Sequence, residues 1–434
     1  MDEKFFFFLY HIKTPKPNMS QKVIKIHPMR HRHIKRQALQ DTLQLQSEKC
    51  IECGLCRKEC KFLQQYGTPK QIADSFDPSS AKDLKMPFEC SLCGLCRAVC
   101  PVEINPAALF LEMRREAIAQ GVQLFSDYSI ILNYEKRGTS KRYSYYALPE
   151  NCDTVFFPGC TLAGTRHDKV KGIYEHLQKT IPQLGIVLDC CTKPSHDLGR
   201  ESHFHSMFHE MENFLQHHGV KKILVACPSC YRVFKDYSDD LRVKTVYEHF
   251  AETSLPPSSN IPATITIHDP CSTRDEQQIH AAIRQLAQSK SLTIAEMKYV
   301  GTKTLCCGEG GTVGCVNPDY SANWGLRRKE AAGKNRIITY CAGCANILGF
   351  VHPTSHIIDL FFAPQAALAG KTKIAKAPWT YLNRLLLKSY FKKRIDATVS
   401  RERTFTGENT NKSAAFKRVV ILFLPLSLSS SLYV

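Results

Sequence analysis

Residues 50–60 read CIECGLCRKEC, and residues 90–101 read CSLCGLCRAVCP. Each stretch places four cysteines in the spacing C-x2-C-x2-C-x3-C, and only the second keeps a proline after its last cysteine. The chain of 434 residues contains twenty cysteines. We expect no secretory leader, because no stretch combines a charged start, an apolar middle and a small-residue cleavage site. In a reducing compartment, clustered cysteines indicate metal ligands more strongly than disulfides.

The spacing within these runs favours iron–sulfur clusters over zinc. Four thiolates spaced in this way hold cubane [4Fe–4S] clusters, and the fourth cysteine of each run serves the other cluster. Closed zinc sites usually draw on two CxxC pairs set far apart, so a run this short fits zinc poorly. We therefore expect two cubane clusters. Their expected ligands are Cys50, Cys53, Cys56 and Cys100 for the first and Cys90, Cys93, Cys96 and Cys60 for the second.

Ten further cysteines follow candidate strands in a region that repeats. Beyond residue 151, short β-branched or aromatic runs alternate with polar helical patterns, which is typical of βα units. Corresponding cysteines lie 111, 116 and 114 residues apart, which predicts an internal duplication. Because loops at the carboxyl ends of parallel strands converge on one edge of a sheet, each set predicts a candidate metal site. The sets are Cys160, Cys190, Cys191, Cys227 and Cys230, then Cys271, Cys306, Cys307, Cys341 and Cys344.

These motifs resemble a known superfamily over roughly residues 48–362. The paired runs are similar to those of the iron–sulfur subunits of glycolate, lactate and anaerobic glycerol-3-phosphate oxidases and of heterodisulfide reductases. The repeats resemble the cysteine-rich CCG domain of that superfamily, which has the pattern Cys, Cys-Cys-Gly, Cys-x-x-Cys. The second repeat matches fully, whereas the first has Thr192 in place of the glycine. The resemblance implies one or two further, non-cubane [4Fe–4S] clusters, with the second set as the candidate catalytic site.

The predicted fold class is a multidomain α+β protein. A helical two-cluster ferredoxin module is followed by a duplicated α/β cysteine-rich domain. The expected boundaries are a basic N-terminal segment at 1–40, the ferredoxin-type domain at 41–125, the cysteine-rich domains at 150–255 and 260–364, and a basic amphipathic tail at 365–434. No flavin or nucleotide site is expected, because the glycines of GEGGTVG at 308–314 follow Cys307 rather than opening a strand-to-helix turn.

The net charge of +18 is concentrated at the two ends of the chain. Residues 1–40 carry nine Lys/Arg against two acids, and residues 365–434 carry thirteen against three. Basic tails attract nucleic acid, acidic proteins or anionic lipid by the same field. Near Trp379, a basic amphipathic helix on a membrane surface and a solvated helix both remain open. The apolar runs FFFFLY and VVILFLPLSLSSSLYV are shorter than a full membrane span.

Several residues outside the cysteine sets have alternative interpretations. The histidines of the stretch HFHSMFHE are more typical of a solvent-facing helix than of a metal site. His268 precedes Cys271 at a strand end, where it could serve as a structural residue or as a hydrogen-bond donor to a cluster. Cys152 and Cys315 lie outside both series and are interpreted as inert thiols.

Together these features predict an iron–sulfur electron-transfer protein. The expected role is a subunit of a respiratory-type oxidoreductase that relays electrons between a flavoprotein dehydrogenase and a membrane quinone, a membrane subunit or a disulfide. The alternative is a catalytic heterodisulfide or thiol–disulfide reductase subunit that uses the CCG domains. A zinc protein that binds nucleic acid through its tails is disfavoured, so no nucleic-acid partner is expected. The protein is expected in the cytoplasm, as a peripheral protein on the cytoplasmic face of the inner membrane.

Overall fold

The computed structural model describes residues 36–122, 125–256 and 258–407. Most of the basic N-terminal segment and the last 27 residues, including VVILFLPLSLSSSLYV, lie outside this part of the chain. The region before the first sheet is helical, and a 3-10 turn at Met86–Glu89 precedes the second cysteine run. Its helices are Gln37–Lys49, Leu55–Glu59, Lys61–Tyr66, Pro69–Ser75, Ala81–Lys85, Leu95–Ala98, Pro106–Ala119 and Phe125–Gly138.

Local sequence signals set these helix boundaries. Pro69 occupies the first helical position after Thr68, whose side chain forms a capping box with Gln71. Pro106 likewise begins a helix that is capped by Asn105. Within the helix Pro106–Ala119, residues at four-residue spacing point into the core of this region and are fully buried. They are Leu109, Met113 and Ala117.

In the described part of the chain, ten strands form two sheets, and helices connect the strands. The strands are β1 (Tyr145–Leu148), β2 (Thr154–Phe157), β3 (Gly185–Leu188), β4 (Lys222–Val225), β5 (Arg242–Thr245), β6 (Ala263–His268), β7 (Leu292–Ile294), β8 (Arg336–Thr339), β9 (Thr354–His356) and β10 (Val399–Arg401). The first sheet has the order β10-β1-β3-β2-β4-β5 and the second has β7-β6-β8-β9. The parallel segment β3-β2-β4-β5 therefore has the same arrangement as the second sheet.

Helices connect and cover these strands. In the first repeat they are Cys160–Thr165, His167–Leu177, Lys193–Asp197, Glu201–His217, Pro228–Tyr237 and Val246–Glu252. In the second repeat they are Gln277–Gln288, Pro318–Ala332, Ala342–Leu348, Ile357–Phe362 and Pro364–Leu368, with 3-10 turns at Cys271–Thr273, Gly301–Lys303 and Gly310–Cys315. One hydrophobic core includes residues of both sheets. Among the described residues, no helix combines the length and apolar character needed to cross a membrane.

The chain returns to the first sheet after completing the second. The helix Trp379–Arg394, called here the C-terminal helix, buries Leu387 and Phe391 in the common core. Strand β10 then pairs with β1 in antiparallel register, with Tyr146 opposite Arg401. Over residues 379–401, the expected basic tail therefore supplies a helix and an edge strand to the first repeat. The face of the C-terminal helix that contains Leu387 is covered by the protein itself.

Candidate metal centres

The first cysteine run and the last cysteine of the second run lie together near the surface. Gly54 adopts a left-handed conformation (φ 74°) that turns the chain into the helix carrying Cys56. Burial, and next the nearby Cys50 thiol, raise the pKa of Cys56 to about 11, with smaller contributions from Cys53 and Cys100. The structure therefore brings together the residues predicted as ligands of the first cluster.

The second run has the same local form but lies deeper. Gly94 repeats the left-handed turn (φ 70°). Burial, and next the Cys93 thiol, raise the pKa of Cys60 to about 12, so Cys60 lies beside the second run. Burial also raises the pKa of Cys96, whose neighbours include Cys93, Cys90 and Cys60. The fourth cysteine of each run is thus placed next to the other run.

The second run contacts the second repeat through backbone groups and buried side chains. A β-carbon on Gly310 would lie 2.5 Å from the Ser91 carbonyl oxygen, and one on Gly311 would lie 2.5 Å from the Cys90 carbonyl oxygen. The Trp324 indole N–H donates to Ser91 Oγ at 3.1 Å. The glycines of GEGGTVG therefore allow this close approach, which gives that motif a structural role.

Two buried arginines stabilise this junction. Arg114 is fully buried and donates to the carbonyl oxygens of Cys90, Asp197 and Gly311 at 2.6, 2.6 and 3.0 Å. It therefore joins the ferredoxin-type region to both repeats. Arg274 donates to the Cys93 carbonyl oxygen through Nε at 3.1 Å and Nη2 at 2.9 Å. Neither arginine stands out in the sequence, because its partners are backbone groups far away along the chain.

The second set of five cysteines converges at the carboxyl ends of β6 and β8. The Cys306 thiol lies within hydrogen-bonding reach of Cys271 and Cys307, and also of Cys93 from the ferredoxin-type region. The Gly308 N–H donates to Cys306 Sγ at 3.3 Å, and the Cys344 N–H donates to Cys341 Sγ at 3.5 Å. All of the set except Cys271 are buried. The structure thus brings all five predicted residues together.

His268 lies beside this second set. One ring nitrogen of His268 and the sulfur atoms of Cys307 and Cys344 all lie within 4.8 Å of one another. The ring is fully buried, and neither nitrogen has a well-formed hydrogen bond among the described residues. Burial, and next the Arg328 guanidinium, lower the pKa of His268. A neutral imidazole beside two thiols can act as a hydrogen-bond donor or as a ligand.

The first set of five cysteines converges in the corresponding place of the first repeat. Cys191 Sγ and Cys230 Sγ lie 3.4 Å apart, and Cys160 lies beside Cys190. Thr192 adopts the left-handed conformation (φ 55°, ψ 22°) and donates from Oγ1 to the Cys191 carbonyl oxygen at 2.8 Å. The missing glycine therefore does not prevent the turn after the cysteine pair.

The two sets meet across the boundary between the repeats. The thiols of Cys227 and Cys341 lie within hydrogen-bonding reach of each other. Glu309 is exposed, and its carboxyl lies near Cys307, Cys227 and Cys160. Cysteine side chains therefore form one series from the ferredoxin-type region through the second repeat to the first.

The residues outside the sets behave largely as structural groups. His196 contacts Asp197 Oδ1 at 2.8 Å and the Tyr237 hydroxyl at 2.7 Å, so it belongs to a polar network inside the first repeat. Cys152 is buried, and burial raises its pKa to about 11, which is consistent with an inert thiol. Cys315 is half-buried.

Comparisons with protein families agree with this arrangement. A 4Fe-4S dicluster domain model matches residues 46–104, and a cysteine-rich CCG domain model matches residues 154–235 and 265–349. The thiol-only donor sets fit iron–sulfur clusters. The chain is therefore an iron–sulfur protein of the electron-transfer class. It contains one 4Fe-4S dicluster domain followed by two CCG domains, and it is homologous to the relatives described next.

Three relatives illustrate the similarity. The chain is 25% identical to an uncharacterized iron-sulfur protein of Methanocaldococcus jannaschii over 68% of this chain and 66% of the relative. It is 24% identical to one component of the dihydromethanophenazine:CoB–CoM heterodisulfide reductase of Methanosarcina barkeri, over 66% of this chain and 84% of the relative. It is 22% identical to an EtfAB:quinone oxidoreductase of Syntrophomonas wolfei, over 52% of this chain and 36% of the relative. The matched region spans about two thirds of the M. jannaschii relative.

Proposed function

We propose that this chain relays electrons between a flavoprotein dehydrogenase and a quinone or disulfide acceptor. The observation that carries the proposal is the unbroken series of neighbouring cysteines. Cys93 of the ferredoxin-type region contacts Cys306 of the second repeat, and Cys341 of that repeat contacts Cys227 of the first. When bound, [4Fe–4S] clusters take up and release single electrons. The architecture that we infer is a helical two-cluster module followed by a duplicated α/β domain.

The ligand assignment is part of this proposal. Cys50, Cys53, Cys56 and Cys100 would hold the first cubane cluster, and Cys90, Cys93, Cys96 and Cys60 would hold the second. Each set of five cysteines in the repeats would hold one further cluster. The support is the grouping of thiols around Cys56, Cys60, Cys191 and Cys306.

The first cysteine run offers a surface for the flavoprotein partner. Cys53 is exposed, and exposed apolar side chains of Ile51, Leu55 and Val102 line the same shallow cavity as Cys50 and Cys100. An apolar patch beside a redox site suits a protein partner, because docking there removes apolar surface from water and shortens the distance for electron transfer.

The C-terminal helix supports a peripheral location at the cytoplasmic face of the inner membrane. Trp379, Leu382 and Leu386 are exposed and follow one another at three- and four-residue spacing, so they lie on one side of the helix. Lys392 and Lys393 are also exposed on its last turn. An exposed aromatic and aliphatic stripe with nearby lysines suits an anionic lipid surface or a membrane subunit.

A reductase activity toward disulfides is the second candidate. The similarity to a component of a heterodisulfide reductase favours it, and the second set of cysteines would then be the catalytic site. Both candidates predict clusters in the repeats. Turnover of a disulfide by the isolated chain with an artificial electron donor would favour the reductase, whereas electron transfer without disulfide turnover would favour the relay.

The test of the proposed function is a count of iron and acid-labile sulfide on anaerobically purified protein, combined with EPR after reduction. About sixteen irons per chain are expected if all four sets are loaded, and about eight if only the ferredoxin-type region is loaded. Reduction by a flavoprotein dehydrogenase and reoxidation by a quinone analogue should follow at rates that depend on the cluster content. Stoichiometric zinc with little iron would overturn the proposal.

A further inference from the structure

The C-terminal helix lies directly on the first set of cysteines. It packs against the helix Cys160–Thr165, which begins at a cysteine of that set, and a β-carbon on Gly164 would lie 3.2 Å from Thr380 Cβ. Asn383 Nδ2 donates to the Gly164 carbonyl oxygen at 2.8 Å. This helix lies outside the residues that the CCG domain model matches, so the family pattern does not account for its presence here.

Arg384 of this helix extends its guanidinium into the site. The residue is 4% exposed and lines a cleft together with Cys160. A β-carbon on Gly138 would lie within 3.4 Å of both Arg384 Nη1 and Cys190 Cβ, so the guanidinium and Cys190 are close neighbours. The rings of Tyr134 and Tyr143 flank the guanidinium at 5.7 and 5.3 Å.

The positive charge of Arg384 has no carboxylate partner within ion-pair distance among the described residues. Nη2 donates to the Gly138 carbonyl oxygen at 3.2 Å, and Nη1 is buried without a partner in that part of the chain. A buried charge is destabilising unless an opposite charge compensates it. Burial acts to lower the pKa of Arg384, but the Tyr134 hydroxyl and then the thiols of Cys160 and Cys190 outweigh it and raise that pKa.

The second repeat supplies its own arginine. Arg328, from the helix Pro318–Ala332, is buried beside Cys307 and Cys344. It donates to the carbonyl oxygens of Tyr299 and Leu305 at 2.8 and 3.0 Å. The corresponding part of the first repeat, the helix Glu201–His217, contains no arginine. The arginine beside the first set therefore comes from the end of the chain.

We propose that Arg384 is a positioning residue for the first five-cysteine site, whose negative charge it compensates, so that the C-terminal helix is a required part of that site. The inference rests on the proposed function to the extent that the first set holds a [4Fe–4S] cluster. One-electron reduction adds one negative charge to such a site. A fixed guanidinium nearby favours the reduced state and therefore raises the reduction potential.

The test compares three variants of the full chain with the wild-type protein. Arg384→Met removes the charge at similar volume, Arg384→Lys keeps it, and Arg394→Met removes an exposed charge from the same helix as the matched control. Iron content, labile sulfide and an EPR-monitored redox titration are measured on anaerobic protein. Thermal unfolding checks that each variant is folded. The EPR signal that Cys191→Ala abolishes is assigned to the first set.

We expect R384M to shift the midpoint of the Cys191-dependent signal to lower potential and to lose part of the iron of that site, at most about four atoms per chain. R384K should retain the iron, and R394M should match the wild type. If R384M has the iron content and midpoint potential of the wild-type protein, the proposal is overturned. An equal loss of iron from all four sites would also overturn it. If C191A loses no iron, this inference fails, whereas the proposed relay fails only if the ferredoxin-type clusters are absent.

Discussion

The two repeats have the same parallel strand order and the same five-cysteine pattern, but their cysteine pairs are followed by different loops. In the second repeat, Gly308 begins a loop whose backbone lies against the second cysteine run. In the first repeat, Thr192 occupies the glycine position, and the next residue, Lys193, forms an ion pair with Asp197 at 2.7 Å. Arg114 of the ferredoxin-type region therefore contacts both loops, but the loop of the second repeat also lies against the second cysteine run, and the loop of the first repeat contains its own ion pair.

This difference shows how the same five-cysteine motif can pack against two different neighbouring regions. The second set faces the ferredoxin-type region, where Cys306 contacts Cys93, and His268 lies beside it. The first set faces the C-terminal helix, and Phe157 of β2 occupies the position that corresponds to His268 of β6. We infer that duplication preserved the five cysteines, whereas the surrounding charges and contacts diverged.

The largest expected effect comes from removing one ligand in each repeat. Cys307→Ala and Cys191→Ala should each reduce the metal content by about four irons per chain, because each removes a thiolate from one five-cysteine set. Iron and labile-sulfide analysis of the two variants in parallel measures this. A loss in C307A without a loss in C191A would break the comparison, since only the second repeat would then hold metal.

The ion pair of the first repeat predicts a pH-dependent stability. Burial acts to raise the pKa of Asp197, but Lys193 and His196 overcome this and hold it below its usual value. The stabilisation is therefore present above the unfolded-state pKa of 3.8 and is lost as the pH falls through the lower folded-state value. Asp197→Asn should lower the free energy of unfolding by about 3 kcal/mol at pH 7.

Thermal unfolding of wild type and D197N between pH 7 and pH 3 measures this difference. It should be largest at neutral pH and should shrink below about pH 4. The exposed Asp77→Asn is the control for a general acid effect, because the side chain of Asp77 accepts hydrogen bonds only from Ser79 among the described residues. A constant difference between wild type and D197N across the range would contradict the assignment.

Exchanging the residues that follow the cysteine pairs tests the loop comparison directly. Gly308→Thr places a β-carbon 2.6 Å from the Ser321 carbonyl oxygen at a φ of 104°, and we expect a loss of about 2–3 kcal/mol. Thr192→Gly should change stability by less than about 1 kcal/mol, because the turn is already formed. Thermal unfolding compares the pair, and equal effects of the two exchanges would contradict the proposed difference.

The smallest expected effect is that of His268→Phe. This variant places beside the second set the residue type that the first repeat has at the corresponding position. The variant should keep its iron but shift the reduction potential of the second set, because a polar ring beside Cys307 and Cys344 is lost. A redox titration of the Cys307-dependent signal measures the shift. Loss of about four irons would instead identify His268 as a ligand.

Local sequence patterns predicted much of the site. The runs at 50–60 and 90–101 depend on residues that are close together in the chain. The two cysteine sets of the repeats are recognised by the regular offset between corresponding cysteines. The family comparisons confirm the dicluster domain, the two CCG domains and their 4Fe-4S clusters. The glycine-rich stretch 308–314 was harder to interpret, because its purpose is a backbone contact with Cys90 and Ser91.

By itself, the sequence determined the chemistry of this protein: cysteines in iron–sulfur spacing and a duplicated cysteine-rich unit. Only the tertiary structure decided which sets are neighbours, and that Arg384 returns to the first set from the end of the chain. The physical reason is that ligand spacing is imposed locally by short turns and strand ends. Contacts between distant segments depend on packing and on compensation of buried charge, and these leave no periodic pattern in the sequence.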